Sequence, residues 1–309
     1  GLTVEMHCGI SSVQYLCARA GVPWQDVRLV SAHGRTANLV GEVRRSARTF
    51  ALLDGAEGVQ EMCRLLSEYG LAAVQVTVGC DLGYPEERIL RGTPAEVAAQ
   101  SCGRLCAALV CNPVPDLTLP ISIPDAAFIR GEAPMTKSEV RALSVAKLKL
   151  TEDAVVYDVG AGTGSVSIEM ARVAVGGTVY AVEREEAAAA LIEENRRHFG
   201  TPNVEVVRGL APAALEPLPA PTHVFIGGSS GNLKDIVRAV LAKNPQVRLV
   251  INSVTLETVS ETLAVVKECA VVQEEVVCLN VAGARHLGSY NLMTAQNPVY
   301  LAVLRGRDA

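Results

Sequence analysis

The stretch Val155-Val-Tyr-Asp158-Val-Gly160-Ala161-Gly162-Thr163-Gly164-Ser165-Val-Ser-Ile-Glu169 decides the fold of the C-terminal half of this chain. It opens on a short apolar run, passes through three glycines at alternate positions and resumes with apolar residues at helical spacing, the pattern of a buried strand feeding a helix. Glycine allows a tight turn there and lets a ligand lie against the amides at the helix start, because no Cβ intervenes. About twenty residues on, the run Val179-Tyr-Ala-Val182 ends at Glu183, where a carboxylate can accept both hydroxyls of a ribose. Gly160, Gly162, Gly164 and Glu183 together predict a nucleoside site. A dinucleotide site would carry its third glycine one position later to pack helix on strand, and Ser165 stands there.

Outward from this motif, strand-like runs at 154–159, 178–182, 204–208, 222–226 and 248–253 alternate with helical patterns at 167–173, 187–198 and 233–241. Closing strands are expected at 276–279 and 299–304, around a variable insert. Such alternation predicts a mainly parallel sheet covered by helices on both faces. Toward the N-terminus, Leu2-Thr3-Val4-Glu5-Met6 reads as a strand, followed by strands at 27–32, 49–53, 73–78 and 105–111 and helices at 11–19, 37–47, 59–68 and 95–101. Between the two halves, Asn112-Pro-Val-Pro-Asp-Leu-Thr-Leu-Pro-Ile-Ser-Ile-Pro124 is expected to be an extended connector, since proline and the residue before it resist helix. The expected division is a domain over 1–113, a linker over 114–124 and a second domain over 125–309.

Composition agrees with two packed α/β domains. The 309 residues are 49% hydrophobic and 20% charged but only 4% aromatic, so the cores must be built from Val, Leu, Ile and Ala, which suits buried parallel strands. A net charge of −5 without any basic block argues against nucleic acid as a partner, and an anionic ligand would need a local cluster of Arg or Lys. The chain has neither an apolar run of bilayer length nor a secretory leader pattern, so no membrane partner is expected and the cytosol is the expected compartment. Cys8, Cys17, Cys63, Cys80, Cys102, Cys106 and Cys111 match no zinc or redox spacing and read as small buried hydrophobes. His33, His198 and His223 are isolated, and no metal is expected.

The alternate-glycine form preceded by Asp158 resembles the first motif of class I S-adenosylmethionine-dependent methyltransferases. Ala133-Pro-Met-Thr136-Lys137, Phe225-Ile-Gly227-Gly228, Ile251-Asn252-Ser-Val-Thr255-Leu-Glu257 and Asn297-Pro-Val-Tyr300 extend the likeness, over essentially all of 125–309, to the decarboxylating precorrin C5,15-methyltransferase family of cobalamin biosynthesis. Gly9-Ile-Ser-Ser-Val-Gln14, Ala32-His-Gly-Arg35 and Leu82-Gly-Tyr-Pro-Glu-Glu-Arg-Ile89 resemble the second lobe of the tetrapyrrole methylase fold. The resemblance therefore implies a Rossmann-like class I methyltransferase domain preceded by a smaller α/β lobe. It implies S-adenosylmethionine as cofactor and a precorrin tetrapyrrole as substrate, methylated at C15 with loss of the C12 acetate carboxyl. Relatives of the C15 domain suggest a homo-oligomer. Tetrapyrrole methylases hold their cofactor between two lobes, and with only one of them before residue 113, C5 methylation is expected to be absent.

On the same resemblance, the cofactor contacts are Thr136, Asp158, Gly160, Ala161, Gly162, Thr163, Gly164, Glu183, Gly209, Ala211, Gly227 and Gly228. Thr136 lies three residues before Glu139 and equally matches a helix-capping box. Leu210 departs from the pattern, standing where many class I methyltransferases carry an acid for the adenine amino group, so adenine recognition would rest on backbone near Ala211 and on apolar contact. Lys137, Asn252, Thr255, Arg285, Ser289 and Tyr290 are the expected substrate contacts, with turn formation an open alternative for Asn252 and Thr255. Arg285 carries the expectation of bidentate binding to substrate carboxylates. A different reading also stays open, a methyltransferase of another small molecule with residues 1–113 as a docking or oligomerisation module.

Overall fold

A computed structural model describes residues 2–118 and 120–307, and the chain folds as two compact units, residues 1–118 and 119–309. In the first unit the order is α1 (Ser12–Ala20), β1 (Arg28–Ser31), α2 (Leu39–Arg44), β2 (Arg48–Leu53), α3 (Gly55–Glu68), β3 (Gln75–Cys80), β4 (Arg88–Gly92), α4 (Pro94–Ala98) and β5 (Cys106–Cys111). The sheet runs β1-β2-β5-β3-β4, with only the β1/β2 pair parallel. Helices α2, α3 and α4 cover one face, and α1 covers the other through Leu16 and Cys17. Local sequence fixes the helix starts: Ser11 with Gln14, and Thr93 with Glu96, form reciprocal capping boxes.

Two expectations for this unit need correction, and one element was missed. Leu2, Val4 and Met6 are exposed and form no strand, because a strand requires a partner and not propensity alone. Strand β4, Arg-Ile-Leu-Arg-Gly, escaped detection because it is a charged edge strand paired on one side only. Cys17, Cys63, Cys80 and Cys106 are buried as expected, whereas Cys8 is exposed and Cys102 and Cys111 are half-buried.

The second unit continues with α5 (Ser138–Leu148), β6 (Val155–Val159), α6 (Ser165–Val173), β7 (Thr178–Glu183), α7 (Glu186–Phe199), β8 (Val204–Arg208), β9 (His223–Ile226), α8 (Leu233–Lys243), β10 (Arg248–Ser253), α9 (Leu256–Glu268), β11 (Val271–Leu279), β12 (Ala282–Leu287), β13 (Tyr290–Ala295) and β14 (Val299–Gly306). Seven strands form one sheet in the order β11-β14-β10-β9-β6-β7-β8, parallel from β10 to β8. Strand β14 joins antiparallel between β10 and β11. Helices α5, α6 and α7 pack on one face and α8 and α9 on the other, so the central strands are mostly apolar. The chain leaves β6 toward β7 and β8, then returns to β9 on the other side of β6. That reversal creates a switch point at the carboxyl end of β6, where open α/β sheets bind ligands.

Helix α9 and the β12–β13 hairpin were not legible in the sequence. The hairpin stands where a variable insert was expected, and every one of its strand residues is exposed, so it carries no in/out alternation to read. The expected capping box at Thr136 and Glu139 does not form. Helix α5 starts one residue later, with Lys137 at its N-cap and no side-chain cap bond. Among the described residues no helix is long and apolar enough to cross a membrane.

Candidate functional site

The glycine turn is fixed by its neighbours. Gly160, Gly162 and Gly164 all have left-handed φ values, of 73°, 57° and 76°. A Cβ on Gly160 would lie 2.7 Å from the Gly228 carbonyl oxygen, and one on Gly162 would lie 2.5 Å from that of Pro134. Both positions therefore require glycine for conformation and for space. The loop after β6 is thus wedged between the loop after β9 and the segment preceding α5. The Val182 carbonyl accepts from the Gly160 and Ala161 amides at 3.0 and 3.2 Å, and the Val159 carbonyl accepts from Gly227 and Gly228 at 3.0 and 3.2 Å.

A cavity opens over this turn, lined among others by Pro134, Thr136, Gly160, Ala161, Gly162, Glu183, Gly209, Leu210, Ala211, Gly227, Gly228, Ser229 and Ser230. The Glu183 carboxylate stands at its edge, almost buried, and is held in place by three backbone amides. Gly162 donates to Oε2 at 2.8 Å, and Arg184 and Glu185 donate to Oε1 at 2.9 and 3.0 Å. Sheet order places Glu183 at the end of β7 and Gly209-Leu210-Ala211 after β8, with Gly227 and Gly228 after β9 on the opposite side of the turn. A nucleoside with its ribose on Glu183 would therefore lie across the carboxyl edge of the sheet, base toward β8 and the other end toward β9.

Asp158, Thr163 and Gly164 belong to the interior of the turn and do not line the cavity. Gly164 begins α6, and a Cβ there would meet the Ile192 side chain at 2.9 Å. The Thr163 carbonyl accepts from Asn195 Nδ2 at 2.9 Å. Asp158 is fully buried and accepts a hydrogen bond from the Ser167 hydroxyl, while its Oδ1 and the Thr163 hydroxyl find no partner within the protein. Burial pushes the Asp158 carboxyl up to about 7; the Ser167 hydrogen bond opposes that rise and the nearby Glu183 charge adds to it.

The wall formed by Pro134 and Thr136 rests on a group that sequence reading missed. Arg141, on α5, is fully buried, and its Nε donates to Glu169 Oε1 of α6 at 2.6 Å. Its Nη1 donates to Asp125 Oδ1 at 3.1 Å and to the Thr136 carbonyl at 2.7 Å, its Nη2 to the Ile123 carbonyl, and the guanidinium lies 4.7 Å from the Phe128 ring centre. One buried cation thus gathers residues 123–136 onto the helix that follows the glycine turn. Removing one member of such a buried pair costs about 3–5 kcal/mol, because the other charge is left uncompensated. Both residues were visible in the sequence, but a charge within an amphipathic helix reads by default as exposed.

The expected substrate contacts are not gathered at this cavity. Lys137 points instead toward Asp125, 3.6 Å away. Thr255 caps α9 by accepting from the Thr258 amide at 3.2 Å. Arg285, Ser289 and Tyr290 lie on or at the turn of the exposed hairpin. Asn252 comes nearest in character: it is buried near the carboxyl end of β10, and its Oδ1 has no protein partner. Ser229 and Ser230 do line the cavity and were overlooked, although they directly follow Gly227-Gly228.

Comparison with known proteins agrees with this architecture. A family model described as "Precorrin methyltransferase domain" matches residues 125–305. The chain belongs to the precorrin methyltransferase family. A second model, described as "Tetrapyrrole (Corrin/Porphyrin) Methylases", matches residues 1–98. A relative in Pyrobaculum calidifontis, named a probable cobalt-precorrin-6B C(15)-methyltransferase (decarboxylating), is 40% identical over 182 residues, which is 58% of this chain and 93% of the relative. A Sinorhizobium sp. precorrin-6Y C(5,15)-methyltransferase [decarboxylating] is 33% identical over 251 residues, 80% of this chain, and the match spans 61% of that relative's length. The crystal structure of a precorrin-6y C5,15-methyltransferase from Geobacter metallireducens superposes with a TM-score of 0.56 and 36% identity, covering 60% of this chain and 97% of that one. This precorrin methyltransferase family member therefore carries its class I Rossmann-like domain in its second unit.

Proposed function

We propose that residues 125–309 bind S-adenosylmethionine across the carboxyl edge of the seven-stranded sheet and direct its methyl group to C15 of a precorrin macrocycle, with loss of the C12 acetate carboxyl. The observation that carries the cofactor assignment is Glu183, immobilised by three amides beside a glycine turn that leaves no room for a Cβ. The donor set suits the ligand: a carboxylate for the ribose hydroxyls, a floor without side chains and an apolar end beyond β8. The partnerless Asp158 Oδ1 and Thr163 hydroxyl lie just behind the floor. The substrate and the two reactions rest on the names of the relatives and on family membership. Residues 1–113 supply a lobe of tetrapyrrole methylase type in this reading.

Bound S-adenosylmethionine supplies an electrophilic sulfonium methyl, and what this chain adds is placement. Glu183 fixes the ribose, while Gly227 and Gly228 bring bare backbone to the end of the cavity opposite the base, where an acceptor carbon can approach in line. Thr136, held by its own carbonyl to Arg141, forms the facing wall. Asn252 presents a buried acceptor for a hydrogen-bond donor on the substrate edge.

Calorimetric titration of S-adenosylmethionine, and separately of NAD, tests the reading. One site for the methyl donor, weakened at least about tenfold by Glu183→Ala, is expected for the loss of charge-assisted hydrogen bonds to the ribose. Binding of NAD alone, or of neither compound, would overturn the assignment.

A further inference from the structure

Beyond Glu183 the cavity changes character. The residues that line it past the end of β8 are Gly209, Leu210 and Ala211, with Ile236 beside them from α8. None of the three side chains can accept a hydrogen bond. Two of the backbone acceptors there already have donors: the Leu210 carbonyl accepts from the Ala214 amide at 3.1 Å, and the Ala211 carbonyl from Asn232 Nδ2 at 3.3 Å. The other acid on this side, Glu185, has a side chain 68% exposed and is paired with Arg184 at 3.0 Å. Glu183 itself is committed to backbone amides and to the ribose position.

A purine base seated here would meet apolar contact on its faces and no charged or hydroxyl acceptor opposite its 6-amino group. Discrimination follows from groups left unpaired: a site built to accept a hydrogen bond rejects a ligand lacking the donor, whereas an apolar site is nearly indifferent to that change. We propose that Leu210 makes this base subsite blind to the 6-amino group, so that the chain accepts sulfonium and thioether nucleosides whose purine lacks or alters that group. The proposal rests on the nucleoside reading of the cavity given above.

The test measures equilibrium binding to the full chain of S-adenosylhomocysteine and of its 6-deamino purine analogue, with no turnover required. A charge-assisted hydrogen bond to the amino group would be worth roughly ten- to a hundredfold in affinity. The expected result is that the two compounds bind within about fivefold of each other, less than one such bond provides. Leu210→Asp, at a half-exposed loop position that tolerates a polar side chain, should then raise the preference for the amino compound at least about tenfold. A preference of about tenfold or more in the unaltered chain overturns the proposal while leaving the nucleoside reading intact. An unchanged preference in Leu210→Asp overturns the assignment of this subsite to Leu210. Failure of both compounds to bind removes the nucleoside reading and the proposal together.

Discussion

The glycine turn after β6 and the β12–β13 hairpin are both glycine-bearing loops, yet their glycines do different work. At Gly160 the space a Cβ would need is taken by Gly228 backbone 2.7 Å away, whereas around Gly283 and Gly288 in the hairpin there is nothing within 4 Å. In the turn, three segments close on one another and the residue type is dictated by the fold. In the hairpin, the backbone leaves the choice open at Gly283, and at Gly288 only the left-handed φ of 61° favours glycine. A motif can be read from sequence where neighbouring backbone enforces it, and the hairpin has no such neighbour.

The sharpest way to break this comparison is to add the same methyl group on both sides. Gly160→Ala combines a left-handed φ with a backbone clash that no rotamer relieves, so a loss of about 3 kcal/mol or more is expected. Gly283→Ala should stay within about 0.5 kcal/mol. Urea unfolding of the two variants against the parent measures both, and similar costs would show that the turn is no more constrained than the hairpin.

The contrast also explains what could be read in advance. The strands at Val204–Arg208 and Arg248–Ser253 were located to the residue, because each is a short apolar-rich run bounded by polar or turn residues. The glycine turn was legible for a related reason, since neighbouring backbone and left-handed φ values require glycine at 160 and 162. Arg141 and Glu169 were not legible. Their partnership spans 28 positions and is buried only because α5 and α6 meet. The expected substrate contacts are not brought together by the fold of this unit: Thr255 serves a cap, Lys137 faces Asp125, and Arg285, Ser289 and Tyr290 sit on an outward hairpin. Polar side chains of these types suit many surroundings, and only the tertiary structure selects among them.

Proton linkage gives a second, smaller test on the turn's side. The carboxyl of Asp158 is raised from 3.8 to about 7 by burial. In this window the folded chain holds a proton that the unfolded chain has released. The contribution of this group is therefore fully present below pH 4 and is lost as pH rises through about 7. Asp158→Asn, which keeps the shape and cannot ionise, should gain stability relative to the parent across that window, on the order of 1 kcal/mol per pH unit. Chemical denaturation at intervals from pH 4 to 8 reads the difference. A gap between variant and parent that does not change with pH would place the ionisation of Asp158 elsewhere.

The smallest stability effect is expected on the hairpin, and it decides the fate of the substrate contacts expected there from the sequence. Tyr290 is 77% exposed, and among the described residues the hairpin strands pair only with each other. Arg285→Ala and Tyr290→Ala should therefore shift unfolding by no more than about 0.5 kcal/mol. With folding untouched, any change in catalysis must come from contact with substrate or with another chain. If Arg285 holds a substrate carboxylate, its removal should raise KM for the precorrin roughly tenfold while S-adenosylmethionine affinity stays constant, since a charged hydrogen-bonded pair is worth about that much. Unchanged KM in both variants would strip the hairpin of a binding role, leaving Asn252, Ser229 and Ser230 as the side chains through which this edge of the sheet could meet its substrate.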